Sequence, residues 1–89
     1  MCFVYMIKNS AGKLYIGISE NPNERLAYHN KRQGARFTKY IPNFHLVFLE
    51  QYETGTQARK REIQIKKWRR EKKEMLMEKY RLGLPTKLN

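Results

Sequence analysis

The sequence predicts an α+β fold, a three-stranded antiparallel sheet flanked by helices. Three observations carry that reading. Two aromatic and β-branched runs, residues 3–8 and 14–19, are separated by Asn9, Ser10, Ala11 and Gly12, which is turn chemistry for a β-hairpin. A third apolar run, Leu46, Val47, Phe48 and Leu49, lies within residues 44–52 and suits a strand covered on both faces. Helical patterns with their own start and stop residues occupy the sequence between and after these strands.

The hairpin comes first. With three residues in its loop, Tyr5 falls opposite Tyr15 and both rings emerge on the same sheet face. Gly17, two residues beyond Tyr15, shares that face, and its missing side chain leaves room for a phosphate or a packed helix. Asn21 and Pro22 then supply an N-cap and a proline at the first helical position, with Glu24 at the positive end of a helix running to about Arg32 and stopped by Gly34. The basic, aromatic stretch 35–43, with Pro42 near its end, reads as a loop or a short helix. Residues 44–52 follow as the expected central strand. Thr54, Gly55 and Thr56 supply a break and a cap for a helix over about 57–68, and a second helix over about 71–82 ends at Gly83 and Pro85. The chain is expected to form a single domain over 1–89, with its core in about 3–68 and a basic C-terminal helix in about 70–82.

Composition narrows the function. Lys and Arg number 19 against 8 acidic residues, a formal charge of +11, and all eight acids are Glu. Such a charge on a small chain points to a polyanionic partner, because each phosphate neutralised by Lys or Arg releases condensed counterions. Charge alone fits a ribosomal or merely soluble basic protein as well as an enzyme. The one cysteine, Cys2, cannot form an internal disulfide, and no Cys and His cluster has zinc spacing, so no zinc and a reducing cytoplasm are expected. The apolar runs are too short for a membrane span or a signal-peptide core, so no membrane partner is expected either.

Candidate site residues lie at Tyr5, Tyr15, Arg25, His29 and Glu62. Arg25 and His29 are four apart on one helix face. An arginine there can grip a phosphate with two parallel N–H bonds at any working pH, and the histidine can exchange a proton or bond a tyrosine hydroxyl. Two tyrosines in a hairpin are otherwise ordinary packing residues. Glu62 shares a helical stripe with Ala58, Ile65 and Arg69, on the side expected to face the core. A carboxylate directed there is costly unless it is paired or bound to metal. Two readings follow: a ligand for Mg²⁺ or Mn²⁺, hard ions that take few protein oxygens, or an ion pair with Arg25 or Arg61.

Tyr5, Tyr15 with Ile16 and Gly17, Arg25, His29 and Glu62 follow one another at offsets of 10, 10, 4 and 33 residues. In this they resemble the GIY-YIG nuclease domain, above all the small stand-alone bacterial GIY-YIG proteins and the N-terminal catalytic domain of the excision nuclease UvrC. The resemblance spans about residues 3–68. Phe3 and Val4 replace the Gly and Ile of the first motif, and no lysine closely follows Gly17 as in UvrC-like sites, Ser19 standing nearby instead.

What the resemblance implies is a GIY-YIG-like fold and a divalent-metal-dependent endonuclease that hydrolyses DNA phosphodiester bonds with one metal, Mg²⁺ or Mn²⁺, in a DNA repair setting. Tyr15 or Tyr5 would act as general base or orient the water, Arg25 would bind the scissile phosphate, Glu62 would hold the metal, and His29 would assist. Free tyrosine has a pKa of about 10, so only roughly one in a thousand is ionised at pH 7 and the site must favour the phenolate. Gly17, Lys66, Lys67, Arg69 and Arg70 are the substrate-binding candidates. The alternative is a catalytically weak nucleic-acid-binding module that tracks phosphates with Arg59, Lys60, Lys66, Lys67, Arg69, Arg70, Lys72 and Lys73. Tyr28, Phe37, Tyr40 or Trp68 would then stack on unpaired bases. The sequence leaves the oligomeric state open.

Overall fold

Asn9 closes the hairpin. Its Oδ1 accepts the backbone N–H of Ala11 at 3.1 Å and of Lys13 at 2.9 Å, and Gly12 turns the chain at φ 82. In the computed structural model, which describes residues 1–31 and 43–87, this turn joins β1 (Cys2–Lys8) to β2 (Leu14–Ser19). The elements that follow are α1 (Pro22–Lys31), β3 (His45–Tyr52), α2 (Gly55–Lys66) and α3 (Arg70–Arg81). The five-residue turn shifts the register by two from the expected one. Tyr5 pairs with Gly17, and Tyr15 with Ile7. A shift of two preserves the face, so both tyrosines still project on the same side of the sheet.

The sheet is antiparallel with strand order β2-β1-β3. The central strand is therefore β1, which corrects the expectation for residues 44–52. β1 is apolar on both faces: Val4 and Met6 point one way, Tyr5 and Ile7 the other, and all four are buried. The run Leu46 to Leu49 is covered on both faces as expected, yet β3 bonds on one side only. A register shift between Met6 and Ile7 leaves Val47 without a partner, a bulge that lets Val47 and Phe48 both pack into the larger core while Leu46 and Leu49 join the smaller one.

The larger core lies between the sheet and α2 with α3, around Val4, Met6, Phe48, Ala58, Ile65, Leu76 and Met77. Leu26 of α1 packs on the opposite face, with Tyr5, Ile7, Tyr15 and Phe44. Phe48, Met6, Ile7, Ile65 and Val4 are fully buried, and each such side chain contributes about 1.5–3 kcal/mol.

The helices start where short polar side chains cap them. Asn21 Oδ1 accepts the Glu24 N–H at 3.2 Å, as the sequence suggested. In α2 the cap is Thr54, whose Oγ1 accepts the Gln57 N–H while Gln57 Oε1 accepts the Thr54 N–H, so the helix begins two residues before the expected Gln57. α3 ends before Gly83, which takes φ 74.

Beyond Gly83 the chain folds back on β3. The Thr86 carbonyl accepts Arg61 Nη2 at 3.0 Å, and Lys87 Nζ donates to the Gln51 carbonyl. Gln51 Nε2 in turn meets Met1 Sδ. Arg61 is buried and also holds Glu50 with two bonds, Nε to Oε1 at 2.9 Å and Nη2 to Oε2 at 3.1 Å. Trp68 is half-buried against the larger core, between the Arg61 guanidinium and Lys72 Nζ. The expected stop at Gly34 and the segment 35–42, with Phe37 and Tyr40, lie outside the described residues. No helix among the described residues is long and apolar enough to cross a membrane.

Candidate active site

Four of the five candidate residues lie on the α1 side of the sheet. β2 presents Tyr15 and α1 presents His29, whose rings are 4.9 Å apart between centroids and tilted by 31°. Phe44 completes the group at 5.4 Å from Tyr15 and 6.1 Å from His29. Lys13 Nζ lies 5.4 Å from the Tyr15 ring centroid. One turn before His29, Arg25 is exposed and places its guanidinium 5.3 Å from the Tyr28 ring. Among the described residues that guanidinium has no carboxylate partner and no hydrogen bond. Such a cation retains its full capacity for an anion from outside.

Tyr5 enters the same face from the central strand. A Cβ on Gly17 would lie 2.7 Å from the Tyr5 hydroxyl oxygen and 2.9 Å from Cζ, so the phenol lies directly across that glycine. The room expected above Gly17 for a phosphate is filled by Tyr5, and only glycine at 17 allows the ring to lean over the edge strand. The glycine positions a tyrosine. Among the described residues no donor or acceptor meets the Tyr5 hydroxyl.

Glu62 comes from α2. It is buried, as its stripe with Ala58 and Ile65 predicted, on the helix that covers the other face of β1. Its ion-pair partners are neither Arg25 nor Arg61, the two expected, but Arg59 Nε at 3.5 Å and Lys66 Nζ at 3.2 Å. Arg61 is committed to Glu50 instead. Among the described residues no three of His, Cys, Asp and Glu gather as a metal cage. The donor set is one carboxylate, which fits a hard ion that keeps most of its water shell and leaves positions for substrate oxygens.

The basic residues divide by what already binds them. Arg70 is tied into the fold, Nε to Glu74 Oε2 at 2.8 Å and Nη2 to the Gly12 carbonyl at 2.9 Å, so it fastens α3 to the hairpin turn. Arg70 and Lys8 together hold the Glu74 carboxyl below its ordinary pKa. Lys66 is engaged by Glu62, whereas Lys67 and Arg69 are exposed without a carboxylate partner among the described residues.

Sequence reasoning missed Asn30. Its side-chain amide brackets Phe44, Oδ1 accepting the Phe44 N–H at 2.6 Å and Nδ2 donating to the Phe44 carbonyl at 3.0 Å. No local pattern signals this, because the partner lies 14 residues away.

Comparisons with known proteins agree with the fold. Residues 1–75 match the GIY-YIG catalytic domain. UPF0213 proteins of Staphylococcus aureus, from strains Mu3 and N315, are 48% identical over 71 residues, covering 80% of this chain and 87% of theirs. The solution NMR structure of a UPF0213 protein from Bacillus halodurans is similar at a TM-score of 0.56 and 28% identity, over 88% of this chain and 84% of that one. The chain belongs to the GIY-YIG family, the family of a nuclease catalytic domain that binds nucleic acid and generally depends on a divalent metal.

Proposed function

We propose that this protein is an endonuclease that hydrolyses DNA phosphodiester bonds, with Mg²⁺ or Mn²⁺ held through Glu62. The observation that carries the reading is Arg25, a guanidinium without an anionic partner among the described residues, one helical turn from a histidine whose tilted ring packs against Tyr15. Arg25 takes the scissile phosphate in two N–H bonds and offsets the charge that builds on it as water attacks. Tyr15, or Tyr5 leaning over Gly17, accepts the proton of the attacking water or orients it, and a base positioned in this way contributes about 10²- to 10⁴-fold. His29 keeps Tyr15 in place through its ring and assists the proton's departure. Held through Glu62, such an ion would supply charge stabilisation at the leaving oxygen. Lys67 and Arg69 extend the phosphate-binding surface, and Lys66 joins it when it leaves Glu62. The single cysteine goes with a reducing, cytoplasmic setting.

One observation favours the second reading, a nucleic-acid-binding module with weak catalysis: the Glu62 carboxylate is already neutralised by Arg59 and Lys66. Nicking assays on plasmid, linear and branched DNA, with Mg²⁺, Mn²⁺ or EDTA, compare the two. The wild type is expected to cut only with metal, and Glu62→Gln to abolish cleavage while keeping DNA binding and its melting temperature. Arg25→Ala and Tyr15→Phe should lose most of the activity. Wild-type cleavage rates in a folded Glu62→Gln protein would sink the metal assignment. No cleavage by the wild type on any of these substrates would favour the binding module.

A further inference from the structure

Glu62 is a deep carboxylate neutralised from the surface. Its side chain is 10% exposed, while those of its two partners, Arg59 and Lys66, are 65% and 54% exposed. The partners lie three residues before it and four after, so they reach the carboxylate from the adjacent turns on either side along the helix. Ion pairs made by side chains this exposed are weak and easily exchanged, and both cations are free to meet a polyanion approaching from solvent. An arginine gains more from a phosphate, with two parallel bonds, than from a single 3.5 Å contact.

We propose that Arg59 and Lys66 form a displaceable clasp: without nucleic acid they hold the Glu62 carboxylate, and on a phosphate backbone they transfer to the phosphates and release it. The inference rests on the reading of Glu62 as the metal-holding residue and adds its regulation. With the clasp closed, two positive charges face one negative one, and a divalent cation approaching Glu62 meets net repulsion. With the clasp drawn onto phosphates the repulsion is cancelled and the carboxylate accepts the ion. Metal loading is thereby coupled to substrate, and linkage requires the converse: nucleic acid must bind more tightly, by the same factor, when the metal is present. A chain built this way keeps its metal site poorly loaded until substrate arrives.

The test is Mn²⁺ binding by the full chain, read from the electron paramagnetic resonance signal of the free ion, so that it does not depend on activity. The double variant Arg59→Gln with Lys66→Gln is compared with Lys60→Gln and Lys79→Gln together, which remove the same formal charge from exposed positions that do not contact Glu62. All four sites are exposed helix positions, and a thermal melt checks that each protein is folded. Without nucleic acid, opening the clasp should tighten Mn²⁺ binding about tenfold, a typical coupling factor, and the charge-matched pair should change it by less than about twofold. Equal tightening in the two double variants, or none in either, overturns the clasp. A phosphorothioate oligonucleotide, with its own Mn²⁺ binding subtracted, should tighten binding to the wild type by a similar factor and leave the clasp variant nearly unchanged; tightening both equally overturns the proposal. Glu62→Gln separates the two levels. If it binds Mn²⁺ as the wild type does, the metal assignment itself falls and the clasp with it; if it loses binding while the clasp variants behave as wild type, only the clasp falls.

Discussion

Asn30 holds Phe44 by both of its backbone groups, and Phe44 in turn packs against Tyr15 and His29. Asn30→Ala removes both partners of a buried residue's backbone, which should cost about 1–3 kcal/mol and lower the melting temperature. Asn30→Asp keeps the acceptor for the Phe44 N–H and loses the donor, so it should cost less. Equal melting temperatures for the wild type and Asn30→Ala would show that the bracket adds nothing to stability. Residue by residue, the sequence was informative where chemistry and spacing coincide. The inward direction of Glu62 followed from the helical period. Its partners Arg59 and Lys66 also stand at helical spacing, three before and four after it, so the period allowed them; what it does not show is which arginine turns inward against the sheet. Arg61 does, to meet Glu50 across 11 positions of sequence.

Elements are fixed by short-range signals, and their arrangement by long-range ones. The turn at Asn9, the cap at Asn21 and the stop at Gly83 were legible because each satisfies backbone groups within a few residues. Strand order was not legible, since an apolar run reports covered faces and says nothing about which edge is bonded. The register was missed because it depends on the size of the turn. The union of β3 with α2 shows what such signals omit. Burial pushes the Glu50 carboxyl upward, but hydrogen bonds from Arg61, Thr86 and Tyr52 outweigh it and hold the group below its ordinary pKa. The same burial, with the bond to Glu50, raises Tyr52 to about 12. A carboxyl depressed in the folded state adds stability above its unfolded pKa of about 4.3, and that stability disappears as pH falls through the folded value. Glu50→Gln should therefore destabilise the protein by about 3 kcal/mol at pH 7, leaving Arg61 without its charge partner, and should flatten the acid limb of stability against pH. Urea melts between pH 3 and 7 read both effects; an acid limb as steep as that of the wild type would place the lost proton linkage elsewhere.

For the molecule as a whole, a charge of +11 makes binding to nucleic acid electrostatic, and affinity should fall with salt by a log–log slope of about 0.9 per duplex phosphate neutralised. Lys67→Gln with Arg69→Gln should flatten that slope at little cost in stability, whereas Arg70→Gln should also lower the melting temperature by freeing the hairpin turn. Filter binding at several salt concentrations, beside thermal melts, distinguishes the two, and an unchanged slope in the Lys67 and Arg69 double variant would remove α2's end from the binding surface. One further property comes from Gln51, which meets Met1 with its side chain and Lys87 with its carbonyl. Residues 1 and 87 therefore both reach β3 at Gln51. A unit whose residues 1 and 87 both reach one strand can be spliced through them into a surface loop of a host protein as a cassette, or have those two positions linked and be reopened at the Asn9 turn. In the reopened chain β1 and β2 become distant in sequence, so the same native contacts would be reached by a slower search.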